Sequence, residues 1–379
     1  MKNYKKLGVY IQPVDIRNSD LQVSHLLGLS IEKCFIESIA NTIGTDFRPY
    51  KIVKKGQFAY GPVTSRNGDK ITIALLKEVD VCIISSSYSV FEIIDTSKLL
   101  PDYLMLWFSR PEFDRYARYK SHGSVREIFD WDEMCRVELP IPDIKEQQKI
   151  VDAYNAITKR IKIKQKINEN LEKTAQTLFE EVNKNKEQFE DKNIEEISDA
   201  VICGKTPSTG LDEYWGKDIP FITIPDMHRN NFITHTERYL SVVGKESQEK
   251  QTLPAGSICV SCIATVGLVS MTTTTSQTNQ QINSIICKKG ISSFYVFLTL
   301  KGMEEYLKRL GAGGSTTLNI SKSLFASIKI KIPSEKEMND FETRVSTIFE
   351  SILANEKEIN KLTELKQLVI SRISKESII

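Results

Sequence analysis

Two kinds of hydrophobic periodicity follow one another in this chain, and they do so twice. Val137, Leu139 and Ile141 alternate with charged or polar residues, and Ile328, Ile330 and Ile332 do the same. A period of two marks a half-buried strand. The spacing then changes. Phe341, Val345, Ile348, Ile352, Asn355, Ile359, Leu362, Lys366, Val369 and Ile373 fall on alternating steps of four and three, with eight of the ten apolar. So do Ile150, Tyr154, Ile157, Ile161, Lys164, Asn168, Leu171, Ala175, Leu178 and Val182, again with eight of ten apolar. These are heptad seams, and each member of the second set lies 191 residues before its counterpart. Two helices of about 40 residues, each roughly 60 Å long at 1.5 Å per residue, most simply bury such seams against each other. Asn168 and Asn355 interrupt the apolar seam, where they either fix its register or lie at a solvated flank.

The repeat extends upstream. Gly123 and Gly314 are 191 residues apart, as are Pro142 and Pro333, so "SHGSVREIFDWDEMCRVELPIP" and "GAGGSTTLNISKSLFASIKIKIP" align at those anchors without a gap. Before them, "PDYLMLWFSRPEFDRYARY" sits 191 residues ahead of "SSFYVFLTLKGMEEYLKRL", each an apolar-faced helix leading into a glycine turn. Each long helix opens on a capping-box pattern, Asp143 with Glu146 and Ser334 with Glu337. The polar tract "NKNKEQFEDKNIEE", 183–196, reads as a helix end and linker. The expected architecture is α+β, with a globular domain over 1–142, a long helix over 143–185, a second globular domain over 186–333 and a second long helix over 334–379. Such a tandem has approximate twofold symmetry and presents two similar surfaces, which suits a molecular ruler or a plain interaction scaffold.

Composition narrows this little. No apolar run reaches the roughly 18 residues of a membrane span, and the amino-terminal "MKNYKKLGVYIQP" lacks the apolar core of a signal peptide. The seven cysteines are an odd number in apolar segments such as "SICVSCIA", which suits reduced, buried thiols and a cytoplasmic protein. The net charge of +2 argues neither for nor against nucleic acid. Its distribution does more, because Arg48, Lys51, Lys54, Lys55, Arg66, Lys70 and Lys77 are opposed within their stretch by Asp69 alone. That excess suits either a phosphate backbone or an ordinary solvated surface.

Catalytic signatures are few. "VICGKTPS" lacks the glycine that a phosphate-binding loop needs five residues before Gly204, since Asp199 stands there. Cys259 and Cys262 form a single CxxC inside a strand-like stretch, and His25, His122, His228 and His235 have no zinc-ligand spacing. The second half instead gathers polar tracts at turns. One carries Lys205, Thr206, Ser208, Thr209, Tyr214, Trp215, His228, Arg229, Asn230 and Asn231, and another Ser276, Gln277, Thr278, Asn279, Gln280 and Gln281. Amides and arginines read base edges, and lysines and hydroxyls hold phosphate, although surface loops in general contain the same residues.

At these residues the chain resembles the specificity (HsdS) subunits of Type I restriction-modification systems. The resemblance rests on "GKTPS" followed by "YWGKDIPFITIPDM", then "LPAGSICVSCIATVGLVS", "TNQQINSII" and "GAGGSTTLNIS" leading to "IKIP". Together these cover essentially the whole second half. In the first half it rests on "KGQFAYGPV", "SSSYSVFEI", "GSVREI" and "LPIPDIKEQQKIV", and "GKTPS" has no counterpart there. The resemblance implies two target recognition domains, each reading one half of a bipartite double-stranded DNA site. It implies two helices that pack as an antiparallel coiled coil, with Ile157, Ile161, Leu171, Leu178, Ile348, Ile352, Ile359 and Leu362 in the seam, and set the spacing between the halves. It implies two methyltransferase (HsdM) subunits, motor-nuclease (HsdR) subunits, and S-adenosylmethionine on the methyltransferase, with no cofactor, metal or active site on this chain and no membrane. The first domain would contact DNA through Arg17, Asn18, Arg48, Lys51, Arg66, Asn67, Lys70, His122, Ser124 and Arg126. The second would use the tracts above with Ser315, Thr316 and Thr317. A tandem scaffold, or a decoy specificity subunit without sequence-specific activity, is the rival reading.

Overall fold

Both alternating stretches are strands, Glu138–Pro140 and Lys329–Ile332, and each is held by an antiparallel partner from far back in the chain. Tyr4–Lys6 pairs with the first and Glu190–Asn193 with the second. The alternation has the expected cause: Val137, Leu139, Ile328, Ile330 and Ile332 are buried, while Glu138 and Lys329 are exposed and Lys331 is half-buried. The computed structural model describes residues 4–38, 44–65, 68–123, 127–228, 231–312 and 317–375. By contacts the chain divides into two units, 1–161 with 362–379, and 162–361, so each long helix contributes one end to each unit.

The units share a frame. In the first, the antiparallel sheet runs in the order Ile11–Val14, Ser89–Ile93, Phe58–Tyr60, Ile73–Leu75. In the second the order is Ser198–Cys203, Ile282–Cys287, Ile258–Ser261, Val269–Thr272, the same path, with Phe232–Ile233 added parallel to the last strand. One face of each sheet packs on a helix, Pro101–Phe108 or Ser293–Lys301, whose tyrosine is spent in the same way. Tyr103 Oη donates to the Pro140 carbonyl at 3.0 Å and Tyr295 Oη to the Lys331 carbonyl at 3.1 Å. The two carbonyls are 191 residues apart but the tyrosines are 192, so the ungapped alignment of these helices is corrected by one residue. Before each alternating strand lies a short helix, Trp131–Arg136 or Lys322–Ala326, capped at equivalent positions by the side chains of Asp130 and Ser321.

What differs is what hangs on the frame. The first unit adds the hairpin Leu27–Leu29/Phe35–Glu37 and the pair Lys51–Lys54/Val81–Ile84. The second adds a three-stranded sheet in the order Arg238–Leu240, Trp215–Ile222, Gln277–Thr278.

The long helices are Ile144–Val182 and Glu335–Lys375. At the second, the capping box closes fully: Ser334 N–H donates to Glu337 Oε2 at 3.0 Å and Glu337 N–H to Ser334 Oγ at 3.4 Å. At the first only half forms. Asp143 accepts from the Lys145 and Glu146 N–H groups at 3.0 Å, while Glu146 turns to Lys149. The tract 183–196 also departs from a linker. Glu190–Asn193 is a paired strand, flanked by Phe189 and Ile194, which are buried.

None of the ten seam positions on either helix is exposed. The pairing is antiparallel, since Glu181 meets Arg344 at 2.7 Å while Lys164 meets Glu358 at 2.9 Å. Asn168 and Asn355 are buried, and Asn355 Nδ2 donates to Asn168 Oδ1 at 2.7 Å. Lys164 Nζ donates to Asn355 Oδ1 at 2.8 Å, so two residues 191 apart, equivalent in the two repeats, face each other. Of the two possibilities for these asparagines, the structure selects the register-fixing one. Nearby, Glu356 accepts from the Asn231 and Phe232 N–H groups at 3.3 and 3.2 Å, and Asn231 also bonds Glu172 and Lys301. Burial pushes the Glu356 carboxyl up to about 7.

Two outcomes follow. Asn355→Ala leaves Asn168 and Lys164 short of a buried partner and is expected to cost about 1 to 3 kcal/mol in chemical denaturation, whereas replacing both asparagines by leucine costs far less. Because Glu356 binds its proton more tightly when folded, it destabilises the fold increasingly from the ordinary glutamate range up to about pH 7 and no further above it. Glu356→Gln should therefore gain stability relative to the parent across that window, and parallel pH–stability curves for the two proteins would show this assignment to be wrong.

Candidate nucleic-acid interface

In the second unit the two polar tracts form one edge. Gly204 N–H donates to the Ile282 carbonyl at 3.0 Å and Lys205 N–H to the Thr278 carbonyl at 2.9 Å, so "GKT" is zipped along "TNQQ". Glycine is required there, because a Cβ on Gly204 would lie 2.2 Å from Thr278 Oγ1 and from the Asn279 carbonyl. The resemblance to a phosphate loop therefore ends in the backbone, whose amides are already used. Thr206 Oγ1 donates to Gln280 Oε1 at 2.7 Å, and Asn279 Nδ2 to Gln281 Oε1 at 3.0 Å. Lys205, Ser208, Thr209 and Gln280 are exposed along this edge, and Thr206, Asn279 and Gln281 are half-buried.

Three members of the same tract are turned inward. Ser276, Gln277 and Thr278 are buried. Gln277 Nε2 donates to the Lys245 carbonyl, the Gln248 carbonyl and Thr252 Oγ1, and its Oε1 accepts from Gln248 Nε2 at 2.7 Å. Its amide is committed to holding the turn around 245–252, which corrects the expectation that Gln277 and Thr278 reach DNA. Asn231 is corrected likewise, being buried and bonded to Glu172 and Lys301.

Beside this edge, Trp215 Nε1 donates to the Ser208 carbonyl at 3.2 Å, and Trp215 meets Phe221 edge-on at 5.3 Å. Arg238 lies over the Trp215 ring with its guanidinium carbon 3.6 Å from the centroid. Trp215, Lys217, Glu237, Arg238 and Tyr239 line an open depression, with Tyr214 half-buried in the preceding turn. Sequence reading missed Lys217, Arg238 and Tyr239. Phe221 pairs with Arg238 across the strands, a register with no local signature. His228 is exposed after the short helix Ile224–Met227, and Thr317 is exposed. Arg229, Asn230, Ser315 and Thr316 lie outside the described residues.

The first unit gathers Arg17 and Lys51 around Asp15, at 2.9 and 3.3 Å, and Arg17 Nη1 donates to the Pro49 carbonyl beside Arg48. These two cations hold the Asp15 carboxyl below its ordinary value, the Arg17 hydrogen bond most strongly. Asn18 is buried, exchanging hydrogen bonds with the Val23 backbone, so it shapes the turn and does not face outward as expected. Five of the seven cations in the linear excess of positive charge are opposed in space. Arg48 pairs with Asp46, Lys51 with Asp15, Lys55 with Asp80, Lys70 with Glu32 and Lys77 with Asp102. Exposed pairs of this kind are worth about 0 to 1 kcal/mol, so a competing phosphate exchanges with them readily. His122 is exposed and bridges to Ile128 through its backbone. Arg66, Asn67, Ser124 and Arg126 lie outside the described residues.

Cys259 and Cys262 do not form a pair of ligands. Cys259 belongs to a small cluster with Ile222 and Leu253, and Cys262 to the main core on the other face of the sheet with Val260 and Ile320. Burial pushes their thiols up to about 12 and about 11. Among the described residues no group of three or more histidine, cysteine or acidic side chains is placed to hold a metal, and no helix is long and apolar enough to cross a membrane.

Comparison with known proteins gives one consistent result. The family model described as the Type I restriction modification DNA specificity domain matches residues 44–173 and again 186–368. The chain is 33% identical over 400 residues to the Type I restriction enzyme HindI specificity subunit of Haemophilus influenzae, covering 85% of this chain and 86% of that one. It is 34% identical over 178 residues to the MjaIX specificity subunit of Methanocaldococcus jannaschii, covering 46% and 40% of the two chains. In fold it is similar to the crystal structure of a Type I restriction-modification system S subunit from M. genitalium, with a TM-score of 0.62 at 11% identity, covering 98% and 96% of the two chains.

The burial of Gln277 and the exposure of Gln280 separate two substitutions three residues apart. Gln277→Ala leaves buried carbonyls unpaired and is expected to cost about 2 to 4 kcal/mol, whereas Gln280→Ala stays within about 0.5 kcal/mol of the parent. Thermal and urea denaturation read the difference, and equal effects would contradict the placement of Gln277.

Proposed function

Since the chain belongs to the Type I restriction modification DNA specificity family, we propose that it is the subunit that selects the DNA target of such a complex. It binds a bipartite double-stranded site, one half to each unit. The observation that carries this reading is the duplication itself: one family model fits both copies, and each copy puts different additions on the same sheet. A common frame with private additions is what two related readers of two different half-sites require.

The roles follow from the chemistry of the exposed edges. In the second unit Lys205, Ser208 and Thr209 offer phosphate contacts, and Gln280, with Asn279 and Gln281 behind it, offers amides suited to adenine. Arg17, Arg48 and Lys70 in the first unit are paired with carboxylates that a phosphate displaces. The chain itself catalyses nothing. It docks two methyltransferase subunits, which carry S-adenosylmethionine and take the target base out of the duplex, and the restriction complex adds motor-nuclease subunits. All of this takes place in the cytoplasm.

The test is to co-express the chain with methyltransferase subunits encoded beside it, isolate the complex, and map modified bases in the host genome. A methylated two-part motif that vanishes when this chain is omitted is the expected result. DNA retention should fall steeply with salt, with log K against log salt sloping by about −0.9 per phosphate contacted. A stable complex with no motif would identify a decoy subunit, and salt-independent behaviour with no DNA retention would leave only the scaffold.

A further inference from the structure

We propose that Arg238, held on the face of Trp215, reads a guanine in the half-site bound by the second unit. This rests on the DNA-reading function above and adds a specificity determinant to it. The guanidinium carbon lies 3.6 Å from the Trp215 centroid and 5.9 Å from that of Phe221, and the side chain is exposed. Among the described residues it has no carboxylate partner and no side-chain hydrogen bond. Arg344 of the second unit, by contrast, is paired with Glu181. Arg110 of the first unit also stacks on a tryptophan, Trp107, at 4.1 Å, but it is buried and faces Glu112. Arg238 thus combines an ordered guanidinium plane with donors that the described residues leave unused.

The surroundings favour a base edge over the phosphate backbone. Trp215 is itself fixed by its hydrogen bond to Ser208 and its edge contact with Phe221, so Arg238 loses little side-chain freedom on binding. A planar fork with five donors matches the O6 and N7 acceptors of guanine in the major groove. The depression also contains Glu237, whose carboxylate repels a phosphate but accepts from the exocyclic amino group of cytosine. Lys217 at the same rim supplies the positive charge that keeps DNA close.

Two variants at one exposed position test this, Arg238→Lys and Arg238→Ala, each as the full chain in its methyltransferase complex and each checked for an unchanged melting temperature. The readout is the motif selected from randomised duplex DNA, with the affinity for parent and guanine-substituted sites. In the parent, changing one guanine of the second half-site should cost roughly tenfold to a hundredfold in affinity. In both variants that discrimination should disappear at that position alone, because lysine keeps the charge but not the fork. If Arg238→Lys keeps every guanine preference, and Arg238→Ala weakens all sequences equally with a salt slope smaller by about one, then Arg238 contacts phosphate and the inference is wrong. If the parent selects no motif at all, the DNA-reading function fails before this residue is in question.

Discussion

A hydrogen-bonded knot in an apolar seam sets the register on which the rest of this structure depends. Asn168, Asn355 and Lys164 meet inside the pair of long helices, where only leucines and isoleucines would maximise stability. Buried amides of this kind tolerate few alternatives, because a slip of one turn leaves them unpaired at about 1 to 3 kcal/mol each. Lys164 faces the residue that is its own counterpart in the repeat, as antiparallel pairing of two copies of one segment dictates. The apolar positions supply most of the adhesion and the polar ones choose among its registers.

From that seam outward, each unit repeats one solution. A strand before each long helix is covered by a partner, a helix packs on the sheet, and a tyrosine from that helix bonds the strand's carbonyl. Variation is confined to what joins the sheet strands. In the second unit this is the three-stranded addition that brings Trp215 under Arg238 and "GKT" against "TNQQ". The additions have small apolar clusters of their own, Leu27, Leu29, Val53 and Ile84 in the first unit and Ile222 in the second, and in the second unit side-chain and backbone hydrogen bonds present the polar groups at its edge. Gln277 illustrates this, since its buried amide props up the turn behind an edge on which Gln280 faces outward.

Much of this was legible in the sequence where the signal is periodic. The heptads located both helices and the seam residues Leu171, Leu178, Ile348 and Ile352, which pack in one core, and the alternation located both strands before them. Local chemistry was read less well. Nothing in "TTTTSQTNQQ" tells that Gln277 turns in and Gln280 out, because that depends on strands paired across distant residues. The charges from Arg48 to Lys77 looked unopposed because Asp15, Glu32, Asp80 and Asp102 come from elsewhere in the fold. Phe189 and Ile194 were too isolated in a polar tract to announce the strand between them, yet both are buried. Arg238 was missed for the same reason, since its partner Trp215 lies 23 residues away and is reached only by strand pairing.

The central claim is that each unit reads its own half of the target. The most direct measurement replaces residues 198–287 by the corresponding segment of the Haemophilus influenzae relative, keeps both long helices, and maps the modified bases made by the complex in cells. One half of the motif is expected to change and the other half to remain as in the parent. A hybrid that folds and assembles but changes both halves, or neither, would contradict it.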